Sequence, residues 1–213
     1  MAVNKDNYYD FDIDLEKLLA EGGTVAEIFY LENLKRRKLF LYGEIDSMST
    51  SDIVANILQY NSDDKGIDPA DRKPILLYVT SVGGEVDAGF EVIDVILQSK
   101  TPVWTINLGY QYSMGFLIGL AGHRRFATPN AKYLMHDGSN FVYNSGAKAQ
   151  DQMEFQKRVE ERVKQYILSR SLLTPKEYDS KLRVEWYLFA DEAKEKGFVD
   201  SIVGEDCDID MVI

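Results

Sequence analysis

The sequence predicts a single α/β domain built on a mainly parallel sheet, and three observations carry that prediction. Short apolar runs end in glycine and feed helix-like stretches: 75–79 precedes Ser81-Val-Gly-Gly-Glu-Val86, and 103–108 precedes Gly109-Tyr-Gln-Tyr-Ser-Met-Gly115. The strand–helix unit repeats along the chain, which favours right-handed crossovers and parallel pairing. With 213 residues, 45% of them apolar, there is enough material for one sizeable core.

The elements follow in order. Residues 1–26 are acidic and aromatic, with Tyr8-Tyr-Asp-Phe-Asp-Ile-Asp-Leu15, and read as a mobile or partner-contacting arm. A short helix is expected over 15–20, stopped by Gly22-Gly23. The basic cluster Lys35-Arg-Arg-Lys38 reads as a solvated entry to a strand over 39–42 that ends at Gly43. Ser49 or Thr50 can cap a helix over 52–60, with Ile53, Ile57 and Tyr60 on one face. Residues 61–73, with Gly66 and Pro69, are a surface loop.

Strand 75–79, a Gly83-Gly84 turn and a helix over 88–98 come next. Pro102 opens strand 103–108. Residues 113–120 are apolar nearly all round, as a buried helix is, and Gly122 closes them. Short strands are expected over 125–127 and 133–135. A charged helix over 147–169 carries a narrow apolar seam, Val159, Val163 and Ile167, extended by Met153 and Phe155. Such a seam suits packing on a partner. Thr174-Pro-Lys-Glu177 is a capping box with Pro at the first helical position. A last helix over 190–196 stops at Gly197, and 198–203 is a final strand. The domain is thus expected over 27–204, followed by a mobile acidic tail over 205–213.

Composition removes several classes of function. A net charge of −11 speaks against a nucleic-acid partner, which needs clustered Lys and Arg. The lone Cys207 permits no disulfide framework within the chain and points to a reducing, cytoplasmic compartment; its acidic neighbours make it a poor nucleophile. No Cys/His cluster has metal-ligand spacing, so neither a metal nor a cofactor is expected. No apolar run approaches the roughly 18 residues of a membrane span, and the first residues lack the apolar core of a signal peptide.

Ligands in parallel sheets gather at the carboxyl ends of the strands. Ser113, His136 and Gly83-Gly84 all fall at such ends. Each alone is weak. Ser is a common residue at helix starts, and Gln111 stands where a Gly-x-Ser-x-Gly elbow has its first glycine. Gly83-Gly84 lacks the pattern of a nucleotide-binding loop. Together they match acyl transfer, which needs a nucleophile, a base, a group to orient the base, and donors for an oxyanion. The N–H of Met114, beside Ser113, is one natural donor and the N–H of Gly84 the other. Asp137, Asp179, Glu185 and Asp191 are all open as the orienting group.

From about residue 39 to 203 the chain resembles the Clp protease proteolytic subunit family, the caseinolytic serine peptidases. The resemblance rests on Ser81-Val-Gly-Gly-Glu-Val86, Ser113-Met-Gly115, Arg125-Phe-Ala-Thr-Pro-Asn130 before Met135-His136, and Tyr187-Leu-Phe-Ala-Asp-Glu-Ala193 before Gly197 and Asp200. It implies a crotonase-like α/β subunit without a cofactor, with Ser113 as nucleophile and His136 as base. Gly84 and Met114 become the oxyanion donors, and Gly83 and Gly138 substrate-binding positions. The third catalytic position falls on Glu185, where the family usually has Asp.

The resemblance further implies stacked heptameric rings joined by the handle helix 147–169, a strand flanked by Gly138 and Gly146 that lines the substrate, and an AAA+ unfoldase feeding unfolded proteins or peptides. Departures are Val82 for Pro, Asp137 after the histidine, and Val184 where an Arg often serves ring contact. The unfoldase pocket keeps Tyr78 but has Leu76 in place of an aromatic residue and Gln98 in place of Phe. The alternatives are a non-catalytic scaffold subunit of the same family and, more remotely, a crotonase-type enzyme acting on an acyl-coenzyme A.

Overall fold

The computed structural model describes residues 22–138 and 145–213. The helix expected over 15–20 and most of the segment between Gly138 and Gly146 lie outside them. The first described element is α1 (Val25–Lys35), closed at its start by a reciprocal pair between Thr24 and Glu27, so it spans the boundary expected at 26/27. It is followed by β1 (Lys38–Ile45), α2 (Ser47–Asp63), a 3-10 turn (Pro69–Asp71), β2 (Ile75–Gly84) and α3 (Val86–Gln98). Then come β3 (Val103–Asn107), β4 (Tyr110–Tyr112), α4 (Met114–Ala121), β5 (Arg124–Ala127) and β6 (Lys132–Met135). The chain continues with α5 (Gly146–Ser169), α6 (Pro175–Lys181), β7 (Trp186–Phe189), α7 (Ala190–Glu195), β8 (Ser201–Ile202) and a 3-10 turn (Ile209–Val212).

The sheet is parallel throughout except where β6 meets β7. Its long strand β2 makes it fork. β1 runs along one edge of β2 from Lys38 to Ile45. On the other edge Ile75–Tyr78 pair with β3, and Ser81 pairs with Gln111 of β4. One branch continues β3-β5-β8 and the other β4-β6-β7. The chain changes branch at Asn107, which is fully buried. Its amide takes the N–H of Gly109 at 3.0 Å and gives a hydrogen to Lys132 O at 3.0 Å.

The structure departs from the sequence-based expectations at several places. β2 does not stop at a Gly83-Gly84 turn: both glycines stay in the strand, opposite Glu44 and Ile45. Their positive φ angles, 100° and 152°, bend it without ending the pairing. The cap of α2 is Asp46, not Ser49 or Thr50. Asp46 accepts the N–H of Ser49 at 2.7 Å, and Ser49 Oγ accepts the N–H of Asp46 at 3.0 Å. The box at Thr174 is half made: Thr174 accepts the N–H of Glu177, but the Glu177 carboxylate goes to Lys196 at 2.8 Å.

The main core lies between one sheet face and the helices. Leu39, Leu41, Leu77 and Val79 of the strands meet Ile53 and Ile57 of α2, Val92 and Ile96 of α3, and α4, in which every residue is buried. On the opposite face Leu76, Tyr78, Ile106 and Phe126 form a second cluster. The segment 205–213, expected as a mobile tail, packs there. Val212 is buried, its carbonyl accepts a hydrogen bond from the Tyr78 hydroxyl, and Asp206 accepts the N–H of Ile202 at 2.6 Å. Burial pushes Tyr78 up to about 12. Among the described residues no helix is long and apolar enough to cross a membrane.

The basic cluster is not simply solvated. Arg37 is 3% exposed and binds Asp64 through two 2.7 Å contacts, while Thr101 Oγ1 gives Asp64 a further hydrogen bond at 2.7 Å. Asp64 is itself fully buried, so removing it strands a buried guanidinium. Asp64→Ala should therefore cost about 3–5 kcal/mol, read as a fall in the urea midpoint.

Candidate active site

β6, β4 and β2 are neighbours, and their parallel pairing puts their carboxyl ends on one side. The residues that follow or end them are therefore brought together: Gly83-Gly84 from β2, Ser113 after β4 and His136 after β6. Sequence reasoning anticipated this convergence from the strand ends alone.

Ser113 has φ 53° and ψ −120°, a conformation L-residues rarely hold and one that costs about 1–3 kcal/mol. The surroundings hold it there. Its N–H donates to Leu134 O of β6 at 3.0 Å, and its carbonyl accepts from Phe116 and Leu117 at 3.0 and 3.2 Å. Its hydroxyl is not spent on capping α4. The N–H of Met114, the first of the helix, belongs to the group of donors that a helix start leaves without an intrahelical acceptor. β2 approaches so closely that a Cβ on Gly83 would lie 2.6 Å from Ser113 Cβ. A Cβ on Gly84 would lie 2.1 Å from Ile45 O.

Gly84, Ser113, Met114, His136, Asp137 and Gly138 line one cleft of about 680 Å³. Its floor is apolar, from Phe116, Leu117, Val159, Val163, Ile167 and Leu182. The seam predicted on the long helix thus faces this cleft at its C-terminal half, while Met153 and Phe155 near its start are exposed. Tyr178, also in the wall, is pushed up to about 12 by burial, with the nearby carboxylates of Asp179, Glu161, Glu160 and Asp137 adding to the shift. Nε2 of His136 is buried and has no hydrogen-bond partner among the described residues. An imidazole nitrogen left so costs about 1–3 kcal/mol, which a hydroxyl donor would recover.

Glu185 stands apart from these. The antiparallel ladder ends at the pair Met135–Trp186, and His136 and Glu185 are the residues that follow it on the two strands. The Glu185 carboxylate nevertheless accepts the hydroxyl of Tyr187 at 3.0 Å, and the residue does not line the cleft. Of the other carboxylates considered, Asp179 pairs with Lys164 at 2.6 Å and Asp191 starts α7 on the surface. His123 is structural: its Nδ1 accepts the N–H of Val103 at 3.0 Å, and burial holds its pKa down. Leu76 and Tyr78 lie under Val212, whereas Gln98 lines a separate cleft with Leu58 and Arg72.

The contacts of three residues were not foreseeable from the sequence. Arg170, just past α5, donates to the carbonyls of Leu120, Ala121 and Gly122 and so closes the far end of α4. Arg125 ties β5 to Asp200 through bonds of 2.5–3.0 Å and to the carbonyls of Arg170 and Gly197 at 2.7 Å. Tyr187 holds Glu185. The aromatic run Trp186-Tyr-Leu-Phe189 was the available signal for β7, and with it for the shared face of residues 185 and 187.

The backbone at Ser113 yields a test that is independent of chemistry. Ser113→Gly should be more stable than Ser113→Ala by about 1–2 kcal/mol, because only glycine occupies that φ,ψ region without strain. Thermal melting of the two variants measures the difference.

The family model described as Clp protease matches residues 21–206. The ATP-dependent Clp protease proteolytic subunit 2 of Treponema pallidum (strain Nichols) is 28% identical over 192 residues, covering 89% of this chain and 94% of that protein. With a match over most of its length, the chain belongs to the Clp protease family.

Proposed function

We propose that the protein is a serine endopeptidase, the proteolytic subunit of a chambered, ATPase-assisted protease that degrades unfolded proteins and peptides. One observation carries this reading: a serine in a strained backbone conformation shares a cleft with a buried imidazole nitrogen that has no partner among the described residues. Strain at such a position is maintained where function uses it.

In the proposed reaction His136 Nε2 takes the proton of Ser113 Oγ as the oxygen attacks the scissile carbonyl. The N–H groups of Met114 and Gly84 receive the oxyanion, each worth about 3–4 kcal/mol in the transition state. The C–N bond then breaks, and the leaving amine takes the proton back from His136. Water attacks the acyl-Ser113 ester by the same relay in reverse and releases the second product. Gly83 and Gly138 flank the path of the substrate backbone, and Glu185 is the carboxylate that would orient His136 once it leaves Tyr187. The apolar floor favours an apolar side chain at the residue whose carbonyl is attacked.

Assembly into stacked heptameric rings, a cytoplasmic setting and an AAA+ partner come with the family reading. The exposed Met153 and Phe155 on α5 suit a ring contact. A second reading, a non-catalytic scaffold subunit, is favoured by the placement of Glu185 on Tyr187 rather than on His136.

A fluorophosphonate probe should label the assembled protein at Ser113, and short peptides should be cut after apolar residues. Ser113→Ala and His136→Ala should each lower kcat by at least about 10⁴-fold. An assembled particle that neither labels nor cleaves would overturn the peptidase reading in favour of the scaffold.

A further inference from the structure

We propose that Tyr187 is a positioning residue that holds the Glu185 carboxylate off His136, so that releasing it strengthens the base. The inference rests on the reading of Ser113 and His136 as nucleophile and base.

The β6–β7 ladder runs from Lys132–Phe189 to Met135–Trp186, and His136 and Glu185 are the residues that follow its last pair on the two strands. Continued by one step, the same register sets the two across from each other. Facing residues of an antiparallel pair have Cβ atoms about 5 Å apart and project to the same side. A glutamate at that continued position has two neighbours to turn to: the imidazole across the strand, and the residue two positions along its own strand. The second partner is Tyr187, and it holds the carboxylate at 3.0 Å. No hydrogen bond of the His136 side chain is found among the described residues, and its Nε2 is buried without one.

Tyr187 is itself aimed. It faces Leu134, which in turn faces Tyr112 in the β4–β6 ladder. Its ring meets that of Tyr112 edge-on, with centroids 5.8 Å apart and planes at 88°. Tyr112 is the residue before Ser113, and a second ring, Tyr110, packs on it at 5.1 Å. The aromatic row thus fixes the phenol over Glu185 from the nucleophile's own strand. An aspartate at 185 would be one methylene shorter and less able to fold back along the strand; the glutamate makes the exchange between partners possible.

The chemistry of release has a definite sign. A carboxylate accepting from His136 Nδ1–H favours the protonated imidazole, raises its pKa and makes it a stronger base. The acidic limb of the kcat/KM profile then moves to higher pH, because the base must be neutral to act. The charged groups that line the cleft with His136 are Asp137, then Lys157, Glu160, Glu161 and Lys164 on α5, and Asp179 and Arg183 at α6. None is altered by substitution at 187, so a moved limb reports Glu185.

The experiment is peptide hydrolysis by the assembled protein carrying Tyr187→Phe, followed across pH beside the unaltered chain. Tyr187→Phe should raise kcat/KM by about 5-fold, the factor one ordinary net hydrogen bond is worth. It should also shift the acidic limb upward, with the melting temperature unchanged. Adding Glu185→Gln to Tyr187→Phe should remove both effects. A Tyr187→Phe profile that coincides with the unaltered one, or a lower kcat/KM, overturns the proposal. Fluorophosphonate labelling separates the two levels: labelled Ser113 with an unmoved profile sinks only the role of Tyr187, whereas no labelling in any variant sinks the peptidase reading along with it.

Discussion

The arrangement depends on one close approach, between the end of β2 and the start of α4. Gly83 meets Ser113, and Gly115 meets Ser81 in the same way: a Cβ there would lie 2.9 Å from Ser81 Cβ. With side chains at these places the helix would stand off the strand, and the cleft would open at its floor. The approach also explains how Ser113 can keep an unfavourable backbone angle. α4 is buried along its whole length, Leu134 holds the N–H, and Arg170 closes the other end. The helix has nowhere else to go, so the residue at its entrance absorbs the strain.

Much of this was written plainly in the sequence, because glycine and apolar runs are local signals. The strand ends bearing Gly84, Ser113 and His136, the buried character of α4 and the parallel sheet all followed from pattern. What was not legible was settled by tertiary geometry. β4 is three residues of aromatic and amide, too short for periodicity, and exists because β2 outlasts β3. Asp46 outcompeted Ser49 as a cap because its own N–H is returned by Ser49. Arg37 reads as one more surface cation until Asp64, distant in sequence, is seen beneath it.

Glu185 shows the same limit within a motif. The resemblance to the family singles out position 185, just past the last facing pair of the β6–β7 ladder. The direction of its carboxylate is a side-chain choice between neighbours on two strands, and no motif encodes that choice. The acidic C-terminal segment is a parallel case. Charge made it look detached, yet one valine and a backbone carbonyl dock it on the outer sheet face.

The long helix α5 is anchored almost wholly at one end. Ile167 is its only buried residue, and Tyr166 and Arg170 bind carbonyls of α4 or just beyond it. Its 24 residues span about 36 Å. A rod so fixed is a lever whose short arm is the helix that begins beside Ser113. A tilt of about 10° at the anchor carries the far end about 6 Å over that length. Whatever grips the tip therefore works against the helix that Ser113 enters, at a mechanical advantage of its own length.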